Sequence, residues 1–353
     1  MTFRFVAPLV AATIAAAGLI APTVAVPTAT VATAAEAAQV HEGPTPGLET
    51  APAWRDKVNS TPNMKEMWAF SPAMNRNVPL VVITPEDTST PRPTLYLLNG
   101  GDGGEGRANW VMQTDVAQFY ADKNVNVVIP MEGRFSYYTD WVNPEQPKLG
   151  GTQLWETFLT QELPAPLESE LGASGERGIA GMSMSATSSL LLAQHNPELY
   201  QAVGSFSGCA STNDPISDAM LRVTLNRANV SPDDMWGPVG SETREYNDAV
   251  AQAESLRGQE IYISNSAGTS GKPDMISNPR FENNPLTVAN VQVVGGGIEA
   301  ATNWCTHLLK AKMDKLKIPA TFNIRDTGTH QWSYWQMDLR DSWPVFDRAW
   351  STN

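Results

Sequence analysis

Ser183 lies in the string Gly181-Met182-Ser183-Met184-Ser185. A serine hydroxyl is a poor nucleophile until a neighbouring base takes its proton. The string follows the apolar run Arg177–Gly181 and opens a helix-like stretch, Met184–Gln194, rich in Ala, Ser and Leu. Such a strand–turn–helix lifts one hydroxyl above a sheet edge, and small residues must flank it because the two backbones nearly touch. Ser185 occupies the fifth position, where glycine is usual, and is small enough to be tolerated. The chain has four histidines: His41, His195, His307 and His330. His330, in Thr327-Gly328-Thr329-His330-Gln331-Trp332, follows the strand-like run Ala320–Arg325, where this arrangement places its base. His195 ends the helix after Ser183, where positive charge complements the helix dipole, and reads as structural. His307 lies inside a helical pattern and His41 in a loop-like lead-in.

A base of this kind needs a carboxylate to hold its tautomer and balance its positive charge. Asp274 and Glu299 both fall between the Glu260–Ser264 run and His330, and order and spacing leave the two even. Asp326 is too near His330 along the chain to come first. Charge developing on the substrate carbonyl needs preorganised N–H donors. The N–H of Met184 is one. A second is expected from the glycine-rich loop Asn99–Gly106, where Gly100 and Gly101 let the backbone approach closely.

The elements that must position these groups are legible as short runs. Met67–Phe70 and Val78–Thr84 predict an antiparallel hairpin at a sheet edge. Buried-strand runs follow at Thr94–Leu98, Val125–Pro130, Arg177–Gly181, Ala202–Ser207, Glu260–Ser264 and Ala320–Arg325. Helical patterns lie between them at Val111–Asp122, Gln153–Leu171, Met184–Gln194 and Ile298–Leu316. Strands alternating with helices predict an α/β fold with a mostly parallel sheet covered on both faces. With the serine turn, this is the α/β-hydrolase fold. The stretch 209–258, with Pro215, Pro232, Trp236 and Pro238, predicts a partly helical insertion packed over the site.

The termini and composition bound the rest. Residues 1–38 carry one basic residue, Arg4, an apolar run to Ile20 and small-residue sites such as Ala32-Thr33-Ala34, the form of a cleaved secretory signal. Residues 39–64 read as a flexible lead-in, and 65–353 as the catalytic domain. The net charge of −13 over 353 residues argues against nucleic acid as a partner. Cys209 and Cys305 are the only two cysteines. In an exported protein they are expected to pair, closing a loop of about 95 residues. These cysteines and histidines show no metal-ligand spacing, and no cofactor is implied.

Several segments together resemble the mycolyltransferases, the family of mycobacterial antigen 85 and its corynebacterial relatives. They are Tyr96–Gly101, Phe135–Trp141, Trp155–Thr160, Gly181–Ser185, Gly204–Gly208, Met235–Pro238 and Gly328–Trp335, in order from about residue 65 to 350. The resemblance implies Ser183 as nucleophile, His330 as base and Glu299 as the acid, with Gly101 and Met184 forming the oxyanion hole. It also implies a trehalose mycolate donor and a sugar, cell-wall or protein hydroxyl acceptor. Asn99 and Asp102 stand where the family often has a sugar-holding aspartate and arginine. Asn99 retains hydrogen-bonding capacity, Asp102 reverses the charge, and Arg107 in the same loop is a substitute cation. Trp110, Trp236 and Trp332 are candidate sugar-stacking surfaces. A secreted carboxylesterase with the same three residues, and a non-catalytic carbohydrate- or matrix-binding relative, are the alternatives.

Overall fold

A computed structural model describes residues 35–48 and 50–351. Most of the expected signal segment, residues 1–34, lies outside the described residues. The order is β1 (Gln39–Glu42), α1 (Arg55–Asn59), β2 (Met64–Ser71), β3 (Arg76–Ile83), β4 (Thr94–Leu98), α2 (Trp110–Gln113), α3 (Val116–Tyr120) and β5 (Asn126–Pro130). Then come β6 (Asp140–Gln146), β7 (Gly151–Leu154), α4 (Trp155–Thr157), α5 (Pro164–Leu171), β8 (Arg177–Met182), α6 (Met184–His195) and β9 (Ala202–Phe206). The rest is α7 (Pro215–Leu225), α8 (Pro232–Trp236), α9 (Glu242–Tyr246), β10 (Glu260–Ser266), α10 (Pro285–Asn290), α11 (Gly296–Leu316), β11 (Thr321–Arg325) and α12 (Trp332–Ser351).

Among the described residues nine strands form one sheet in the order β1-β2-β3-β5-β4-β8-β9-β10-β11, and β6 pairs with β7 apart from it. From β5 to β11 every pairing is parallel, while β1, β2 and β3 add antiparallel. Side chains alternate across a strand, so a sheet covered on both faces needs apolar residues at every position. β4 shows this: Leu95 and Leu97 join a layer with α2, α3 and α12, whereas Tyr96 and Leu98 join the layer of α6 and α11. All four side chains are buried, the three leucines each contributing about 1.5–3 kcal/mol by transfer from water. This is an α/β-hydrolase fold.

Described residues of the lead-in pack onto the fold. β1 pairs with β2, His41 stacks on Trp68 at 4.3 Å between ring centroids, and Trp54 and Val58 are buried. The β2–β3 hairpin is therefore not the sheet edge, because the open side of β2 takes up Gln39–Glu42. The helical run expected over 111–122 breaks in two. Thr114 donates its hydroxyl to Trp110 O at 2.6 Å and accepts from Val116 N at 3.2 Å, competing with the backbone ladder. The run expected over 153–171 starts as β7. Its helix widens to a π-turn over Phe158–Glu162 just before Pro164, which has no N–H to continue the regular ladder. In the segment 209–258, Pro215 and Pro232 are first-turn prolines of α7 and α8, capped by Asp214 and Ser231. The 20-residue α12 has no counterpart among the expected elements.

Candidate active site

Ser183 sits between β8 and α6 with φ 57° and ψ −120°, a strained backbone that only tight surroundings can hold. Those surroundings are specific. A Cβ on Gly181 would lie 2.3 Å from Ser185 O, so no side chain fits there. The Ser185 hydroxyl accepts from Met182 N at 3.0 Å and lies 3.1 Å from Leu98 O, tying the turn to the end of β4. Serine at this position is thus a brace as well as a small residue. Gly100, just beyond β4, is so close to the turn that a Cβ would meet Met182 Sδ at 2.8 Å. The glycine loop and the serine turn are therefore in contact.

His330 lies in the loop between β11 and α12, and its Nε2 is 2.7 Å from Ser183 Oγ. Its Nδ1 is 2.8 Å from Glu299 Oε2. With the ring proton on Nδ1 donated to Glu299, Nε2 is the acceptor for the serine hydroxyl, the tautomer that proton abstraction requires. The ring packs edge-on against Trp335 at 5.0 Å, and its backbone N–H donates to Gly295 O at 3.2 Å. Glu299 is fully buried on the first turn of α11. Its Oε1 accepts from Ser207 Oγ at 2.9 Å and from Ser266 N at 2.8 Å, groups at the carboxyl ends of β9 and β10. α11 can approach this closely because Gly296 and Gly268 face each other. A Cβ on Gly296 would lie 2.6 Å from Gly268 O, and one on Gly268 would lie 2.4 Å from Gly296 O.

Asp274, the other carboxylate that chain order allows, does not bond to the His330 ring; it bonds to Gly271, Thr329, Gln331 and Tyr334. Among the described residues, the N–H groups of Gly101 and Met184 have no protein acceptor, so both are free to meet a substrate oxygen. Cys209 and Cys305 are disulfide-bonded. His195 bonds to Glu156 and Tyr246 O, His307 is exposed, and neither approaches Ser183 by any bond in the structure.

Three expected substrate contacts are corrected. Asn99 is fully buried, with Nδ2 donating to Pro130 O at 2.8 Å and Oδ1 accepting from Trp110 N at 3.1 Å, so both ends of its amide hold the loop. Trp110 is buried and donates to Leu98 O at 2.8 Å. Trp236 is buried and donates to Thr139 Oγ1 at 3.1 Å. These indoles are core and present no face to a sugar. Trp332 is half-buried, edge-on to Trp110 and Trp335. Arg107 is exposed and Asp102 half-buried. Burial pushes the Asp102 carboxyl up, with the Gly104 N–H and the Arg227 charge opposing. Arg227 was not singled out by sequence. Its guanidinium lies 5.4 Å from the Phe135 ring centroid, and that ring touches the Gly101 position. Sequence does not mark Ser207 or Ser266 as site residues either; Ser207 lies in the matching string Gly204–Gly208, and Ser266 lies in none. Among the described residues no cluster of His, Cys, Asp and Glu is arranged to hold a metal.

Fold and site together define an α/β-hydrolase-fold protein in which an elbow serine, a histidine and a buried glutamate form one hydrogen-bonded line. The family model described as "Putative esterase" matches residues 71–345. Diacylglycerol acyltransferase/mycolyltransferase Ag85A of Mycobacterium leprae is 29% identical over 287 residues, covering 78% of this chain and 79% of that protein. Ag85B of the same organism is 29% identical over 253 residues, covering 70% and 73%. The chain belongs to the putative esterase family and is similar in sequence to the antigen 85 proteins. Among solved structures, Mycobacterium tuberculosis MPT51 superposes with a TM-score of 0.61 at 19% identity, covering 79% of this chain and 95% of that one. An S-formylglutathione hydrolase from Agrobacterium tumefaciens gives 0.59 at 16% identity, covering 80% and 94%. Both likenesses concern the fold.

Proposed function

We propose that the chain is an exported serine acyltransferase that moves a mycoloyl group of corynomycolate type from trehalose monomycolate to a hydroxyl acceptor. The acceptor is a second trehalose monomycolate, cell-wall arabinogalactan or a protein hydroxyl. The observation that carries this reading is the line from Ser183 Oγ to His330 Nε2 at 2.7 Å and from His330 Nδ1 to Glu299 at 2.8 Å.

Ser183 Oγ attacks the ester carbonyl while its proton passes to His330 Nε2, and Glu299 balances the imidazolium. The N–H groups of Gly101 and Met184 receive the oxyanion. Collapse breaks the ester C–O bond, trehalose leaves with the proton from His330, and the acyl group stays on Ser183. An acceptor hydroxyl then gives its proton to His330 and attacks the acyl carbonyl. Ser183 departs and recovers the proton. Asp102, Arg107 and Trp332 are the remaining groups to face the sugar.

Exposed apolar side chains support a lipid acyl group. Val293, Val294 and Ile298 are 74%, 54% and 40% exposed, in the stretch whose Gly295 O receives the His330 N–H. The printed names of the Ag85 relatives support acyl transfer. The disulfide supports an oxidising compartment, as export requires.

The test is the intact mass of the mature protein after incubation with trehalose monomycolate, for wild type and Ser183→Ala. A gain of one acyl chain in wild type alone, discharged by added trehalose or wall acceptor, is the expected result. An adduct that survives in Ser183→Ala sinks the nucleophile assignment. Donor turnover with water as the only acceptor makes the protein an esterase, and no turnover favours a carbohydrate- or matrix-binding relative.

A further inference from the structure

His330 is carried by a loop between β11 and α12 whose backbone has few tethers. Its N–H donates to Gly295 O at 3.2 Å, Gly328 N donates to Thr269 O at 2.6 Å, and Gly268 N donates to Gly328 O at 3.0 Å. A second set of bonds holds the residues on either side of the histidine. Thr329 Oγ1 donates to Asp274 Oδ1 at 2.6 Å, and Gln331 Nε2 donates to the same oxygen at 3.2 Å. The other oxygen, Oδ2, accepts from Tyr334 OH at 2.7 Å and from Gly271 N at 2.7 Å.

The Asp274 carboxylate is fully buried. Among the described residues no Lys, Arg or His side chain bonds to it; all four donors are neutral. An ionised carboxylate offers about four acceptor sites, so these donors use its whole capacity. Burying a charge on neutral donors alone is costly unless the geometry is fully satisfied. The effect of this particular geometry is local. Thr329 and Gln331 turn to Asp274, while His330 between them turns to Ser183 and Glu299.

We propose that Asp274 is a positioning residue for His330. By holding both neighbours of the histidine, it keeps the imidazole in line between Ser183 Oγ and Glu299 Oε2. The proposal rests on the reading of Ser183 as nucleophile and His330 as its base. A loop staple without this role would lower stability and leave the reaction alone. A register-holding role instead lowers turnover with little change in substrate binding, because displacing a reacting group by about 1 Å costs on the order of a hundredfold.

The test uses the full mature chain, a short p-nitrophenyl ester and a fluorophosphonate probe, so that it does not depend on the natural donor. Thr329→Val removes one donor while leaving the shape and the Asp274 charge. Asp274→Asn sets an amide N–H₂ against the donors. In each, kcat and the phosphonylation rate should fall about tenfold or more with KM within about twofold, measured well below the melting midpoint. The double variant should be no slower than Asp274→Asn alone, since both changes act through one contact. Unchanged kcat and probe rate in Thr329→Val, with labelling abolished by Ser183→Ala, overturn this proposal alone. Labelling that survives Ser183→Ala overturns the nucleophile assignment and this proposal with it. If Asp274→Asn does not fold, Thr329→Val decides the matter.

Discussion

Replacing Glu299 by Gln preserves the shape of its buried site but reverses one bond. The Gln carbonyl still accepts from Ser207 Oγ and Ser266 N, as Glu299 Oε1 does at 2.9 and 2.8 Å. Its amide N–H₂ then faces His330 Nδ1, which must become the acceptor. The ring proton moves to Nε2, against the serine hydroxyl, and the base is in the wrong tautomer. Glu299→Gln should therefore lower kcat by about 10³–10⁴-fold on any ester the enzyme turns over, with KM little changed. Steady-state kinetics beside a circular dichroism spectrum check this. A loss under tenfold would place the function of Glu299 in the fold alone. Asp274 shows why two carboxylates that are equivalent by order along the chain are not equivalent in space: one meets the ring and the other its neighbours.

Among the elements, α11 and the strand ends beside it carry most of the site's geometry. Glu299 lies on the first turn of α11 and Ser207 directly after β9, and the Cys209–Cys305 disulfide joins the same two elements. The two cysteines are 96 residues apart. Their bond therefore restricts a large loop of the unfolded chain and sets α11 against β9 in the folded one. The double variant Cys209→Ser/Cys305→Ser should lose about 2–5 kcal/mol of stability. Denaturant unfolding of oxidised wild type and variant measures this. Equal midpoints would mean that packing alone holds α11 in place. The Gly268–Gly296 contact belongs to the same scale, since any side chain at either position pushes the helix and its glutamate away from the histidine.

For the molecule as a whole, the net charge of −13 includes carboxylates that burial makes reluctant to ionise. Glu132, behind the glycine loop, is pushed up to about 7, first by burial and further by Glu105, with Arg76 opposing at 3.2 Å. A carboxyl whose folded pKa lies above its ordinary value of 4.5 binds its proton more tightly in the folded chain. Its contribution to stability is complete below 4.5 and is lost as pH rises through about 7. Glu132→Gln should flatten the fall of the melting midpoint over that window, relative to wild type. Parallel melting curves across the window would show that Glu132 does not carry this dependence.

Local patterns determined much of this protein by themselves. Mostly apolar runs placed most of the parallel strands, because a strand buried on both faces leaves few positions for polar side chains. The small residues around Ser183 marked the turn, because only a glycine at 181 leaves room for Ser185 O. Position after the last strand singled out His330. Where the fold departed from expectation, the deciding bonds were distant in sequence or ran against composition. The Pro- and Gly-rich lead-in became β1 because β2 had an open edge to pair with. Pro215 and Pro232 are N-terminal residues of helices, legible as such only once Asp214 and Ser231 are seen as caps. Asn99 was a candidate hydrogen-bonding group and Trp110 and Trp236 candidate stacking faces, and burial gave the amide to Pro130 and Trp110 and closed both indole faces in the core. Order and spacing left Asp274 and Glu299 even for the histidine ring, the family resemblance favoured Glu299, and the tertiary structure sets Glu299 against the ring. Hydrogen bonding falls away within a fraction of an ångström, and spacing along the chain carries no information on that scale.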